Sequence, residues 1–187
     1  MGFWQTITGR SKPKPPKMDA LFALPAASLT LQTSADFVMT GRGAICFRAA
    51  EGPAFAQTLA DTVALLDADD DPDVEQVTDQ FGFTWLVARQ EDMGALATDL
   101  HAVVTQLELQ GFAHTVLCAL VSFTDPSGRS LALVYLYKQG TFYPFAPTGH
   151  QQRDNVLELQ VRDLVKTDLP VEPDLSRWMP LWGAPGL

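Results

Sequence analysis

The chain has 187 residues, 47% of them hydrophobic and 19% charged, with 13 Lys+Arg against 22 Asp+Glu and a net charge of −9. That composition can bury a real core and excludes a globally disordered chain, and no run approaches the ~18 consecutive apolar residues of a spanning helix. The acidic balance argues against nucleic acid as a partner, which needs a basic footprint, and two cysteines make neither a disulfide framework nor a thiolate metal site.

Residues 1–17 hold Arg10, Lys12, Lys14 and Lys17 and no acid; subtracting this +4 from −9 leaves −13 for residues 18–187. Phe3, Trp4 and Ile7 share one face if the segment is helical, so a short N-terminal helix is expected, followed by the stiff Pro-rich spacer SKPKPPK. Aromatics beside cations have the composition of an interfacial anchor. Phe3, Trp4, Ile7, Arg10, Lys12, Lys14 and Lys17 are therefore candidate contacts with an anionic membrane or a protein partner. Residues 18–187 are expected to form a single domain.

Gly41-Arg42-Gly43 reads as a turn, and residues 44–47 as a short strand. Gly52-Pro53 opens a helix, because Pro suits a first helical turn, and Phe55, Leu59, Val63 and Leu66 give it an apolar stripe. The acidic run DADDDPD at 67–73 ends it as a solvated loop. Residues 74–78 and 83–89 read as two strands around Gly82. A second helix is predicted from about Met93 to Gln110, burying Leu96, Leu100, Val103, Val104 and Leu107, with Gly111 as its stop.

Residues 116–123 and 131–138 form the clearest hairpin, around the turn sequence TDPSGRS. Both faces of both strands are apolar, so this part of the sheet must be covered on both sides by helices, another layer or a second subunit, which leaves a homodimer open. Gly140 is read as a kink or bulge before a strand at 141–145. A third helix starts near Asn155, with Glu158 placed for a capping box, and Pro170 lies just past its end. The tail DLSRWMPLWGAPGL is too rich in Pro and Gly for a helix, yet Trp178 and Trp182 give it apolar surface to bury. The expected fold is α+β: a mostly antiparallel sheet of about five or six strands with three main helices, order β-α-β-β-α-β-β-α, plus the N-terminal helix and an extended C-terminal tail.

No motif for nucleophilic, phosphate or dinucleotide chemistry is present. His101, His114 and His150 have no metal-ligand spacing, and Cys46 and Cys118 are expected to be buried, inert thiols. Asp67, Asp69, Asp71 and Asp73 fit the start of a calcium loop, but Pro72 replaces the turn glycine and Thr78 the bidentate Glu. No metal or organic cofactor is therefore expected, and no catalytic residue is assigned. Phe81, Phe83, Trp85, Tyr135, Tyr137, Phe142 and Tyr143 are either sheet packing or an aromatic groove for a protein partner.

Five long blocks carry a family resemblance: SKPKPPKMDALFALPAA at 11–27, TDQFGFTWLV at 78–87, LALVYLYKQGTFYPFAP at 131–147, RDNVLELQVR at 153–162 and DLPVEPDLSRWMPLWGAPGL at 168–187. In these the chain resembles the PspAB family, the PspA-associated proteins of actinobacteria. The resemblance implies a cytoplasmic bacterial protein, peripheral at the inner face of the membrane if the leader binds lipid. It implies a non-enzymatic adaptor in the envelope stress response, with PspA or a neighbouring protein as partner. The element order is also similar to that of secretion-chaperone-like domains, which bind other proteins. The alternative is an enzyme whose site is assembled from residues distant in sequence. A deep pocket with converging polar groups would favour that reading.

Overall fold

A computed structural model describes residues 18–68 and 72–187. The predicted N-terminal helix and its candidate contacts Phe3, Trp4, Ile7, Arg10, Lys12, Lys14 and Lys17 lie outside the described residues, as do Asp69 and Asp71.

The chain folds as α+β. A short 3-10 turn at Met18–Ala23 leads into helix α1 (Leu24–Ala35), followed by strand β1 (Val38–Phe47), α2 (Pro53–Leu66), β2 (Glu75–Thr78), β3 (Thr84–Arg89) and α3 (Met93–Leu109). Then come β4 (Val116–Thr124), β5 (Ser130–Leu136), β6 (Thr141–Phe145), the small pair β7 (Pro147–Gly149) and β8 (Gln152–Arg153), and α4 (Asn155–Val165). Six strands form one sheet in the order β2-β3-β1-β4-β5-β6. Every neighbouring pair is antiparallel.

The predicted order β-α-β-β-α-β-β-α holds for the body, with one helix added before it and β6 and the small β7–β8 pair added before the last helix. Helix α1 carries Pro25 in its first turn, a position that Pro tolerates because its missing N–H would be unpaired there anyway. It buries Leu24, Ala27 and Leu31, a thin stripe built partly of alanine. Strand β1 starts earlier than predicted and absorbs the expected turn at Gly41-Arg42-Gly43. Gly41 has φ of 77° at a register shift between Met39 and Gly43, and a Cβ there would stand 3.0 Å from the Gln90 carbonyl oxygen. Gly43 lets α3 approach: a Cβ at this position would sit 3.0–3.1 Å from Leu96 and Leu100. These two glycines make a bulge and a close packing point rather than a turn.

Helix α3 is capped as its sequence suggests. Asp92 accepts from the Ala95 N–H, and past the C-terminus Phe112 N–H reaches the Leu107 carbonyl around Gly111, whose φ is 81°. Gly140, expected at a kink, closes the tight β5–β6 turn by donating its N–H to the Leu136 carbonyl. Period-2 alternation sorts the sheet into two faces. Ile45, Phe47, Leu86, Ala119, Val121, Leu133, Tyr135 and Phe142 face the helices. Ala44, Cys46, Trp85, Val87, Cys118, Leu120, Val134, Tyr143 and Phe145 form a second core on the opposite face, closed by Trp178 and Ala184 of the tail.

The β4–β5 turn is organised by one carboxylate. Asp125 accepts from the Ser127 and Arg129 backbone N–H groups, the Ser127 hydroxyl and the Arg129 guanidinium, all at 2.8–3.0 Å. Burial opposes its charge, but the hydrogen bonds from Ser127 and Arg129 outweigh it and hold the carboxyl pKa at about 2. A depressed carboxylate stabilises the fold above its unfolded value of about 3.9, and that contribution is lost as pH falls through the folded value. In a carboxyl NMR titration Asp125 is expected to show a midpoint near 2. A midpoint at the ordinary Asp value would show that the turn does not hold it.

Candidate functional site

The C-terminal tail reaches the sheet through a polar network that the local sequence sets up. Asp154 caps α4 by accepting from the Leu157 N–H, which leaves Glu158, expected in the capping box, free for another task. Its carboxylate is 1% exposed. It accepts from the Ala146 N–H at 2.9 Å and from Arg153 Nε at 2.8 and 2.9 Å. Arg153 lies over the Phe145 ring at 5.1 Å and donates Nη1 to the Trp178 carbonyl at 2.7 Å. Its Nη2 is buried without a hydrogen-bond partner among the described residues.

A second buried carboxylate holds the start of the tail. Glu172 accepts from the Thr141 hydroxyl at 2.7 Å, the Asp174 N–H at 3.0 Å and Arg177 Nη1 at 3.3 Å. Its backbone N–H bonds the Phe142 carbonyl, and Val171 makes a parallel bridge to Phe142, so the tail borders the β6 edge of the sheet. Trp178 donates its indole N–H to the Glu172 carbonyl and stacks on Tyr143 with ring centroids 6.0 Å apart. Tyr143 in turn donates its hydroxyl to the Met179 carbonyl at 2.7 Å. Burial, chiefly, raises the Tyr143 phenol pKa above its ordinary value. Trp182 packs edge-on against Phe145 at 5.2 Å.

Beside this network a cleft of about 280 Å³ is lined by Arg153, Asn155, Glu158, Leu159, Leu175 and Trp178. Leu159 and Leu175 form its apolar walls, and Val156 and Met179 follow lining residues directly in the chain. Val156, Leu159, Leu175 and Met179 are all exposed. Leu159 and Leu175 thus present exposed apolar surface beside the buried Arg153–Glu158 ion pair. A larger cleft of about 500 Å³, lined by Met39, Arg42, Pro72, Arg89 and Glu91 among others, opens at the bulged part of β1. There Arg89 pairs with Glu75 at 2.9 Å.

The seven aromatics proposed as a groove do not form one. Trp85 and Tyr143 lie under the tail, whereas Tyr135, Tyr137 and Phe142 face the helices. These five are buried; Phe83 is half-buried and Phe81 exposed. Trp85 donates its indole N–H to Asp79 at 2.9 Å, Tyr137 donates to Glu108 at 2.6 Å, and Tyr135 packs tilted against Phe142 with ring centroids 4.9 Å apart. The packing reading of these residues therefore accounts for most of them.

The histidines stand apart. His101 packs against Phe22 at 5.0 Å, His114 Nδ1 meets the Gly111 carbonyl at 3.2 Å, and His150 occupies an exposed turn at φ of 51°. Asp67 closes on the Val74 N–H at 2.7 Å. Among the described residues no three His, Cys, Asp or Glu side chains are grouped as metal ligands, and no helix is long and apolar enough to cross a membrane. Sequence reasoning missed Arg153, Glu158 and Glu172. Only Glu158 carried a signal, and that signal was misassigned to the cap.

A family model for PspAB, described as PspA associated protein B, matches residues 1–186. No curated protein and no solved structure matches the chain.

Proposed function

The chain belongs to the PspA associated protein B family, and from that premise we propose that it is a non-enzymatic adaptor of the envelope stress response that binds PspA through the apolar surface around α4 and the tail. The family match over residues 1–186 carries this reading. The exposed side chains Leu159 and Leu175, which line one cleft, support it, because exposed apolar groups gathered at one place mark an interaction surface. Residues 1–17, with Phe3, Trp4 and Ile7 beside four cations, would bring the complex to an anionic membrane while the acidic body stands off.

Two measurements test the two parts separately. Purified PspA titrated into the full chain should give a saturable complex by calorimetry. A Leu159→Asp, Leu175→Asp double variant should weaken it by roughly tenfold or more, since each removes an apolar anchor and introduces a charge that must be desolvated. Both positions are exposed, so the variant's melting curve should match wild type. No complex with the wild-type protein would sink the adaptor reading. For the leader, wild type should float with anionic vesicles at low salt, and Trp4→Ala or deletion of residues 1–17 should abolish flotation. If all three fail to float, the lipid part of the reading fails.

A further inference from the structure

Cys46 and Cys118 are direct cross-strand partners in the β1–β4 ladder, at the centre of the sheet. Residues opposed in this way stand about 4.5 or 5.5 Å apart at Cα, depending on the hydrogen-bonding site. Both spacings fall within the roughly 4.4–6.8 Å that a disulfide spans. Both side chains are on the face that the tail covers, in one core with Trp85, Tyr143 and Trp178. They are free thiols, 3% and 6% exposed.

We propose that Cys46 and Cys118 are an oxidisable dithiol gated by the C-terminal tail: with the tail seated the pair stays reduced, and with the tail lifted it closes to a disulfide that joins β1 to β4. The oxidant class is a peroxide. Once exposed, one thiol loses its proton and attacks a peroxide oxygen, breaking the O–O bond and giving a sulfenic acid; the released hydroxide takes up that proton as water. The neighbouring thiol attacks the sulfenic sulfur, and a second water leaves. Two thiols and one hydrogen peroxide thus give one disulfide and two waters, with two electrons passing from sulfur to peroxide.

The covered state opposes the first step. The hydrogen bond with Cys118, followed by burial, raises the Cys46 thiol pKa, so Cys46 holds its proton and little of its reactive thiolate exists. A Trp178 side chain stacked on Tyr143 helps to hold the cover down. Lifting the tail restores solvent to the sulfurs without separating the strands that oppose them.

The test compares three proteins in dilute hydrogen peroxide, each quenched by alkylation under denaturing conditions and read by intact mass. Wild type should keep two alkylatable thiols for long periods. Trp178→Ala, which loosens the tail, should lose both thiols to an intramolecular disulfide roughly tenfold faster. Leu100→Ala removes a buried side chain on the helix face and lowers stability by a similar amount without touching the cover. It should oxidise at a rate much closer to wild type. If Leu100→Ala oxidises as fast as Trp178→Ala, exposure is global unfolding and the gate does not exist. If the loosened protein accumulates sulfinic or sulfonic acids instead of a disulfide, the two sulfurs are not a pair. Either result overturns the proposal.

Discussion

Deleting residues 176–187 is expected to lower the melting temperature well below that of the full chain, by more than any exposed substitution. The deletion removes Trp178, Leu181, Trp182, Ala184 and Leu187 from the second core and bares Cys46, Trp85, Leu120 and Tyr143. Trp178→Ala alone should cost about 3–5 kcal/mol through lost transfer energy and the cavity left behind. In a domain of this size about 1 kcal/mol moves the melting temperature by roughly 2–4 °C, so the single substitution should shift it by about 6–20 °C. Thermal unfolding by circular dichroism measures it, and increased binding of a hydrophobic dye should accompany the deletion as the sheet face is exposed. An unchanged melting curve would mean that the tail contributes no packing energy.

Arg153→Ala is expected to be nearly as damaging, for an electrostatic reason. Glu158 is 2% exposed at its side chain and Arg153 18%, with Nε 2.8 Å from the carboxylate. Removing the arginine leaves a buried carboxylate with only the Ala146 N–H as partner and frees the Trp178 carbonyl as well. Breaking a buried pair from one side costs about 3–5 kcal/mol, whereas replacing both members by apolar groups of similar volume is often close to neutral. An Arg153→Met, Glu158→Leu double variant should therefore recover much of the stability that Arg153→Ala loses. Urea unfolding of the three proteins checks this. A double variant less stable than Arg153→Ala would show that the pair's worth lies in its geometry rather than in cancelling a buried charge.

The strands and their order along the chain were legible because the strands advertise themselves. Runs such as LALVYLY are apolar at every position, which only a sheet covered on both faces allows. What covers each face was less legible. Periodicity identified the buried stripe of α3, but α1 buries only Leu24, Ala27 and Leu31, and its Pro, Ser and Thr score poorly as helix formers. Gly41 and Gly43 have the composition of a turn. Only the position of α3 and of Gln90 reveals that one permits a bulge and the other a close helix approach. The aromatic positions misled for a related reason. Tyr135 and Tyr143 both stand out in sequence, yet their strand registers send them to opposite faces, and composition carries no face label.

The site was harder still. Glu158 sits where a capping box would put a glutamate, and nothing local reveals that Asp154 already fills that role. Glu172 and Arg153 matter because Thr141 and Trp178 come to them from other parts of the chain. Long-range hydrogen bonds of this kind leave no trace in spacing.

The cover on the sheet's second face has a consequence for biosynthesis. Chains emerge from the ribosome N-terminus first, at ~5–20 residues per second, and fold as they emerge. All six strands of the main sheet precede residue 146, whereas Trp178 and Ala184 are made later. The nascent sheet therefore exists for a time with one apolar face sealed by helices and the other open, including the side chains of Trp85, Leu120, Val134 and Tyr143. Such a face is sticky towards other nascent chains and towards holdase chaperones. Slowing translation over codons 176–187 should prolong that state and raise the aggregated fraction, and release of a chain truncated before residue 176 should trap it.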